Sequence, residues 1–225
     1  MEAWNSELVD KLSVYDSLAV VLKAVANGRR LELIEVLAQG EHSVETLSRM
    51  TGMGVTTVSA GLQTLKQAGL VRTRKERTTV HYRLAGNDVV DLYLAAKKVG
   101  LLRSPELRDM LLIYLGQASA SSAFVPLIHP SAVTSTMTVV DVRPAVEFDA
   151  GHFPGSISIP LDELEDRRSE ISVDAEVVVY CRGEFCRMAR EAAAWMREQG
   201  IDAKAMDEGV IEWRASEGAR LDQTA

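Results

Sequence analysis

The run that most constrains this chain is Val177-Val178-Val179-Tyr180-Cys181-Arg182-Gly183-Glu184-Phe185-Cys186-Arg187. Its opening apolar residues do not alternate with polar ones, so they predict a strand covered on both faces, as in a parallel sheet. A polar loop follows, then the helix pattern Met188 to Gln199. A strand that runs through a short loop into a helix aims free N–H groups and the positive end of the helix dipole at that loop. Both cysteines of the chain lie here. With Arg182 and Arg187 adding positive charge, Cys181 is predicted to ionise easily and act as a nucleophile. A cysteine at a strand end is often just a small core residue. Here it comes with Gly183, which lets the backbone curl, two arginines and a second thiol. A structural zinc site needs four ligands, and the chain has no further cysteine.

Around this run stand Val139-Val140-Asp141-Val142-Arg143-Pro144, then Glu147-Phe148, then Gly151-His152-Phe153-Pro154-Gly155-Ser156-Ile157-Ser158-Ile159-Pro160, and finally Glu208-Gly209 with Trp213. Together, over residues 125 to 219, they resemble a rhodanese-like domain. The resemblance implies a parallel α/β fold in which Cys181 takes a sulfane sulfur from a donor as a persulfide and yields it to a thiol acceptor. It also implies that the loop N–H groups from Arg182 through Gly183, Glu184 and Phe185 to Cys186 cradle the sulfur or an oxyanion. Asp141, Arg143 and His152 would be structural supports.

The loop departs from the commonest rhodanese pattern, with glycine third and cysteine sixth. Cys181 and Arg187 are also spaced Cys-x5-Arg, as in phosphatases and arsenate reductases, where the arginine grips a tetrahedral oxyanion. That is the runner-up chemistry; the alternative function is primarily an enzyme, a thiosulfate or persulfide sulfurtransferase or such a Cys-x5-Arg enzyme, with residues 1–117 used for dimerisation. Against it, Glu184 puts negative charge into the loop. Cys186 suits sulfur chemistry, because a second thiol can attack a persulfide or sulfenate on Cys181 and close a disulfide.

A chain of 225 residues, 47% hydrophobic and 25% charged, has room for two globular domains. No apolar run approaches a membrane span and no signal peptide is apparent, so a cytoplasmic protein is expected. The net charge of −7 is unevenly spread. Residues 134–225 carry 10 Lys/Arg against 19 Asp/Glu, residues 1–133 carry 15 against 13, and residues 60–84 carry six against one. The basic stretch is compatible with phosphate contact, whereas the acidic half would repel DNA.

Leu8, Leu12, Tyr15, Ala19 and Leu22 make one stripe of a helix over 6–25. A second helix follows Asn27, which can cap it, and stops at Gly40, Ser43 caps a third, and a fourth ending at Gly69 turns Val58, Leu62 and Leu65 inward. Two alternating strands, 71–75 and 78–84, then flank Glu76-Arg77 as a hairpin with basic side chains. A basic hairpin is often only a solvated face, but one placed directly after a helix-turn-helix makes a winged helix. Asn87 caps a fifth helix and Ser104-Pro105-Glu106 starts a sixth.

The residues Leu22-Lys23-Ala24-Val25-Ala26-Asn27-Gly28-Arg29-Arg30-Leu31, then Thr56-Thr57-Val58-Ser59 with Leu62, then Lys66-Gln67-Ala68-Gly69-Leu70-Val71, resemble the ArsR family of repressors over residues 15–100. The resemblance implies a homodimer on double-stranded DNA, with the fourth helix in the major groove of each half of an inverted-repeat operator. Thr56, Thr57, Ser59 and Gln63 would then face bases, and Arg72, Arg74, Lys75 and Arg77 phosphates or the minor groove. Ala60 and Gly61 stand where the family often has larger polar groups, and the wing turn lacks its usual glycine. Residues 1–133 contain no cysteine and only the widely separated His42, His81 and His129, so neither a metal site nor a cofactor is expected. The expected architecture is a mainly α winged helix-turn-helix with a β-hairpin wing over 1–117, a linker at 118–124, and an α/β rhodanese-like domain with a parallel sheet over 125–225.

Overall fold

Asp10 opens the first helix by accepting the Ser13 N–H at 2.7 Å, and α1 runs Lys11–Val25. The computed structural model describes residues 9–116, 125–172, 175–216 and 221–224. The start of the expected first helix and the expected linker lie outside these. The chain divides into two units, residues 1–37 with 41–89 and residues 38–40 with 90–225.

In the first unit, α2 (Gly28–Leu37) follows Asn27, whose Oδ1 accepts the Arg30 N–H. The short strand β1 (His42–Ser43) leads into α3 (Val44–Thr51), which Ser43 caps through the Thr46 N–H at 3.2 Å. Gly52 follows in the left-handed conformation, and α4 spans Val55–Gln67. Val58, Leu62 and Leu65, at i, i+4 and i+7, are fully buried beside Leu33 and Leu47. The hairpin is β2 (Val71–Glu76) with β3 (Thr79–Leu84), and β1 pairs with β3 on its other side. Its turn is Arg77-Thr78, one residue later than the alternation suggests, because Glu76 pairs with Thr79. The sequence gives no sign of β1, since two residues carry no periodicity.

Helix α5 (Asn87–Arg103) leads into the second unit, where Ser104 caps α6 (Pro105–Tyr114). The sheet there holds β4 (Leu127–Ile128), β5 (Thr138–Asp141), β6 (Ile157–Ser158), β7 (Val177–Tyr180) and β8 (Ala203–Met206), in the order β4-β8-β7-β5-β6 and parallel throughout. Helix α7 (Ala145–Ala150) follows β5, α8 (Met188–Glu198) follows β7, and α9 (Val210–Ala215) follows β8.

The central strand β7 is buried on both faces. Val177, Val179 and Cys181 enter one apolar cluster, and Val178 and Tyr180 enter another with Phe153, Met206 and Val210. Helix α8 lies against the first cluster through Ala189, Ala192, Ala193 and Met196, whose small residues allow close approach of helix to strand. Met196 is the large side chain of that stripe and is fully buried. Met196→Ala should cost about 2–5 kcal/mol of stability in urea unfolding of the full chain. A loss below about 1 kcal/mol would mean that the helix–sheet contact is not close-packed.

Candidate functional site

The end of β7 delivers Cys181 into the core rather than to the surface. Its Sγ donates to the Cys186 carbonyl at 3.3 Å, and the residue is only 3% exposed. Burial pushes the Cys181 thiol well above the ordinary range, and hydrogen bonding and repulsion from the Cys186 thiol add to that. Backbone N–H groups of Ala189 and Gly183 act in the opposite direction without prevailing. The expected easy ionisation is therefore corrected. The helix N-terminus is present, but desolvation outweighs it and the two arginines do not serve the sulfur.

Both arginines are turned to carboxylates. Arg182 makes a forked bond to Glu147, with Nε 3.0 Å from each oxygen and Nη2 2.7 Å from Oε1, and Glu147 is fully buried. Arg187 Nε pairs with Glu191 at 2.6 Å and its side chain is 53% exposed. The loop backbone is fixed from the β8–α9 turn. The N–H groups of Val210 and Ile211 donate to the carbonyls of Cys181 and Arg182 at 3.2 and 3.0 Å. Gly209 has to be glycine for this contact, because a Cβ there would lie 2.4 Å from the Gly183 nitrogen and 2.5 Å from the Cys181 oxygen. Glu212 Oε2 accepts the Gly209 N–H at 2.9 Å, and its Oε1 accepts the Glu184 N–H at 3.4 Å. Phe185 stands over the Lys97 ammonium, 5.3 Å from ring centre to nitrogen.

Around the loop, Asp141 and Arg143 form a fully buried pair, with Nη2 to Oδ2 at 2.6 Å, and Arg143 also donates to the Gly151 carbonyl at 2.8 Å. His152 stacks on Phe148 at 3.7 Å, and its Nδ1 lies 2.9 Å from the Phe148 carbonyl. These contacts tie β5, α7 and the following turn together.

The first unit presents a second candidate surface. Thr56 and Gln63 of α4 are exposed, Thr57 and Ser59 half-buried, and the Gln63 amide donates to the Tyr82 hydroxyl at 3.3 Å. Gly61 faces inward. A Cβ there would meet Leu33 Cδ1 at 2.9 Å, so this glycine is a seat for α2 against α4. Arg72, Arg74, Lys75 and Arg77 are all exposed on the wing. Arg74, however, is held by Glu41 and Glu76 at 2.9 and 2.8 Å, whereas Arg72, Lys75 and Arg77 form no ion pair among the described residues. Arg77 has φ 54°, a left-handed conformation that costs an arginine about 1–2 kcal/mol, at the place where a glycine is usual. Asn27, Arg29, Arg30, Thr56, Thr57 and Thr64 line a cleft of about 370 Å³ beside α4.

Residues 129–216 match the model of the rhodanese-like domain, and residues 27–73 match that of the bacterial regulatory proteins of the arsR family. The HTH-type transcriptional regulator Rv0324 of Mycobacterium tuberculosis is 41% identical over 215 residues, covering 96% of this chain and 94% of that protein. The transcriptional activator HlyU of Vibrio cholerae is 43% identical over 70 residues, 31% of this chain and 65% of its own. Among solved structures, the homodimeric winged helix-turn-helix DNA-binding domain of Mb0332 from Mycobacterium bovis (fragment 1–100) shares 43% identity. It covers 46% of this chain and 94% of its own, with a TM-score of 0.40. The chain belongs to the ArsR family of DNA-binding transcriptional regulators and carries a rhodanese-like domain.

For this ArsR-family regulator the structure brings Cys181, Cys186, Gly183 and Glu184 together in one loop, but directs the side chains of Arg182 and Arg187 away to acidic partners. Sequence reasoning gave no role to Glu147, Glu212, Glu41 or Arg29. Only pairing across the fold reveals the three carboxylates, and Arg29 could have been found as a basic residue on the first turn of α2. Because the Cys181 thiol stays protonated, its alkylation by iodoacetamide should rise with pH only above the ordinary cysteine range of about 8.5. Half-maximal reactivity near pH 7, measured peptide by peptide, would refute a neutral resting thiol.

Proposed function

We propose that the protein is a homodimeric repressor that binds an inverted-repeat operator in the cytoplasm, and that its rhodanese-like domain senses reactive sulfur by taking up a sulfane sulfur on Cys181. The observation that carries the sulfur half is the buried pair of thiols. Cys181 Sγ bonds the Cys186 carbonyl at 3.3 Å and both free thiols lie in one buried cluster at the strand end, so a persulfide formed on one has a candidate resolving thiol close by. The oxyanion-enzyme alternative has less support, because the arginine it needs is paired with Glu191 in solvent. The DNA half assigns base contacts to Thr56, Thr57, Ser59 and Gln63, and phosphate contacts mainly to Arg72, Lys75 and Arg77. Arg29 adds positive charge to the cleft beside α4. Val9, Leu12, Tyr15 and Leu18 are each more than half exposed on or next to α1, an apolar face that a second copy would cover. The domain division we adopt is 1–117 for DNA binding and dimerisation, and 125–225 for sulfur chemistry.

Replacing Lys75 and Arg77 with alanine should weaken binding to all DNA sequences alike and flatten the salt dependence by about two units, while Arg74→Ala should change it little. Salt titrations that show Arg74→Ala as the larger effect would reassign the phosphate contacts. Cys181→Ser should keep operator affinity but lose the response to polysulfide, which a coupling of about 1–3 kcal/mol sets at roughly 5- to 150-fold. A Cys181→Ser protein that still responds would remove the loop from the sensing role.

A further inference from the structure

Among the described residues, three cations beside the Cys181 loop are held by carboxylates of the same unit. Arg182 is held by Glu147, and Arg187 by Glu191. The Lys97 ammonium, whose side chain is 7% exposed, pairs with Glu184 at 3.2 Å and also contacts Glu212. A loop that receives a dianion needs the opposite: free N–H groups and an unspent positive charge. Here the Glu184 N–H is turned to Glu212 Oε1, 3.4 Å away, so this loop donor already faces a carboxylate. The loop is cut to admit that carboxylate. A Cβ on Gly183 would lie 2.9 and 3.0 Å from the two Glu212 oxygens and 2.6 Å from Ile211 Cγ2. Beside the loop opens a cleft of about 550 Å³, lined by Glu184, Asp207, Glu208 and Glu212 against Lys97 and Lys98.

We propose that Glu212 determines which sulfur donor the loop accepts: its carboxylate turns away doubly charged donors such as thiosulfate and leaves Cys181 to alkyl persulfides, which in protonated form bring the transferred sulfur without charge. The assignment rests on the reading of Cys181 as the sulfur acceptor. Like-charge repulsion in a half-buried site supplies the discrimination. In the reaction, Cys181 loses its proton and attacks the outer sulfur of the donor R–S–SH. The donor's S–S bond breaks as the new one forms, and the leaving R–S⁻ takes up the proton, giving Cys181–S–SH and R–SH. Cys186 can then attack the inner sulfur, close a Cys181–Cys186 disulfide and release H₂S. No outside oxidant enters either step.

The test is intact-mass spectrometry of the reduced full-length protein, with peptide mapping, after exposure to an alkyl persulfide whose alkyl group is uncharged or to thiosulfate. Wild type should take sulfur from the persulfide and not from thiosulfate. Glu212→Gln, which keeps an oxygen for the Gly209 N–H, should raise the ratio of thiosulfate uptake to persulfide uptake by about tenfold or more. An unchanged ratio in a folded Glu212→Gln protein, or equal rates from both donors in wild type, overturns the role of Glu212. If that variant does not fold, wild type alone decides: excess thiosulfate should not slow persulfide uptake, and competition between them overturns the exclusion. Absence of any sulfur on wild-type Cys181 from persulfide would instead overturn the sulfur-acceptor reading itself.

Discussion

The second unit depends on the burial of β7 on both faces. A central strand of a parallel sheet has no wet side, so each residue of Val177–Tyr180 is fully buried and the chain leaves the strand still inside the core. Cys181 continues the alternation into the cluster of Val177 and Val179, and only at Arg182 does the path turn outward. The Cys181 sulfur therefore inherits the dielectric of the core. Its protonated resting state follows from the strand's position more than from any residue near it.

Burial in turn dictates how the surrounding charges are arranged. Glu147 is fully buried and tolerable only because Arg182 meets both its oxygens, and Asp141 is in the same position with Arg143. Breaking such a pair by removing one partner leaves a charge stranded in a poor solvent, which costs about 3–5 kcal/mol. The first residue after the thiol is thus spent on holding the loop to α7. The backbone of the β8–α9 turn holds it from the other side through Val210 and Ile211. What reads in one dimension as a basic loop is in three dimensions a neutralised one.

That difference marks how far the sequence was legible. Elements with a strong period were read correctly. The apolar run at Val177 became β7, the stripe of Val58, Leu62 and Leu65 became the buried side of α4, and Ser43 and Ser104 capped the helices expected of them. The order of motifs around Asp141 and His152 sufficed for the rhodanese-like fold, and those around Asn27 and Gly69 for the ArsR family. Partnerships between residues far apart were not legible. Nothing local shows that Arg182 meets Glu147, that Arg74 meets Glu41, or that Gly61 faces Leu33. Flanking arginines are a valid sign of an activated thiol only while they remain unpaired, and pairing is a property of the fold.

The packing at the strand end also bears on how sulfur uptake could reach DNA. A ligand shifts an equilibrium only by its different free energy in the two states, so the proposed persulfide must be worse accommodated in one of them. Cys181 and Cys186 sit in a buried cluster with Val142, Ile159, Ala189 and Ala192. An extra atom in such a core costs about 1–3 kcal/mol if nothing moves. That equals the usual size of an allosteric coupling, about 1–3 kcal/mol. The loop is tied to α9 by hydrogen bonds and to α7 by an ion pair, so a strained loop would bear on those two helices. If the core accommodates the proposed persulfide poorly in one of the two states, a single added sulfur atom carries enough free energy to act as the signal.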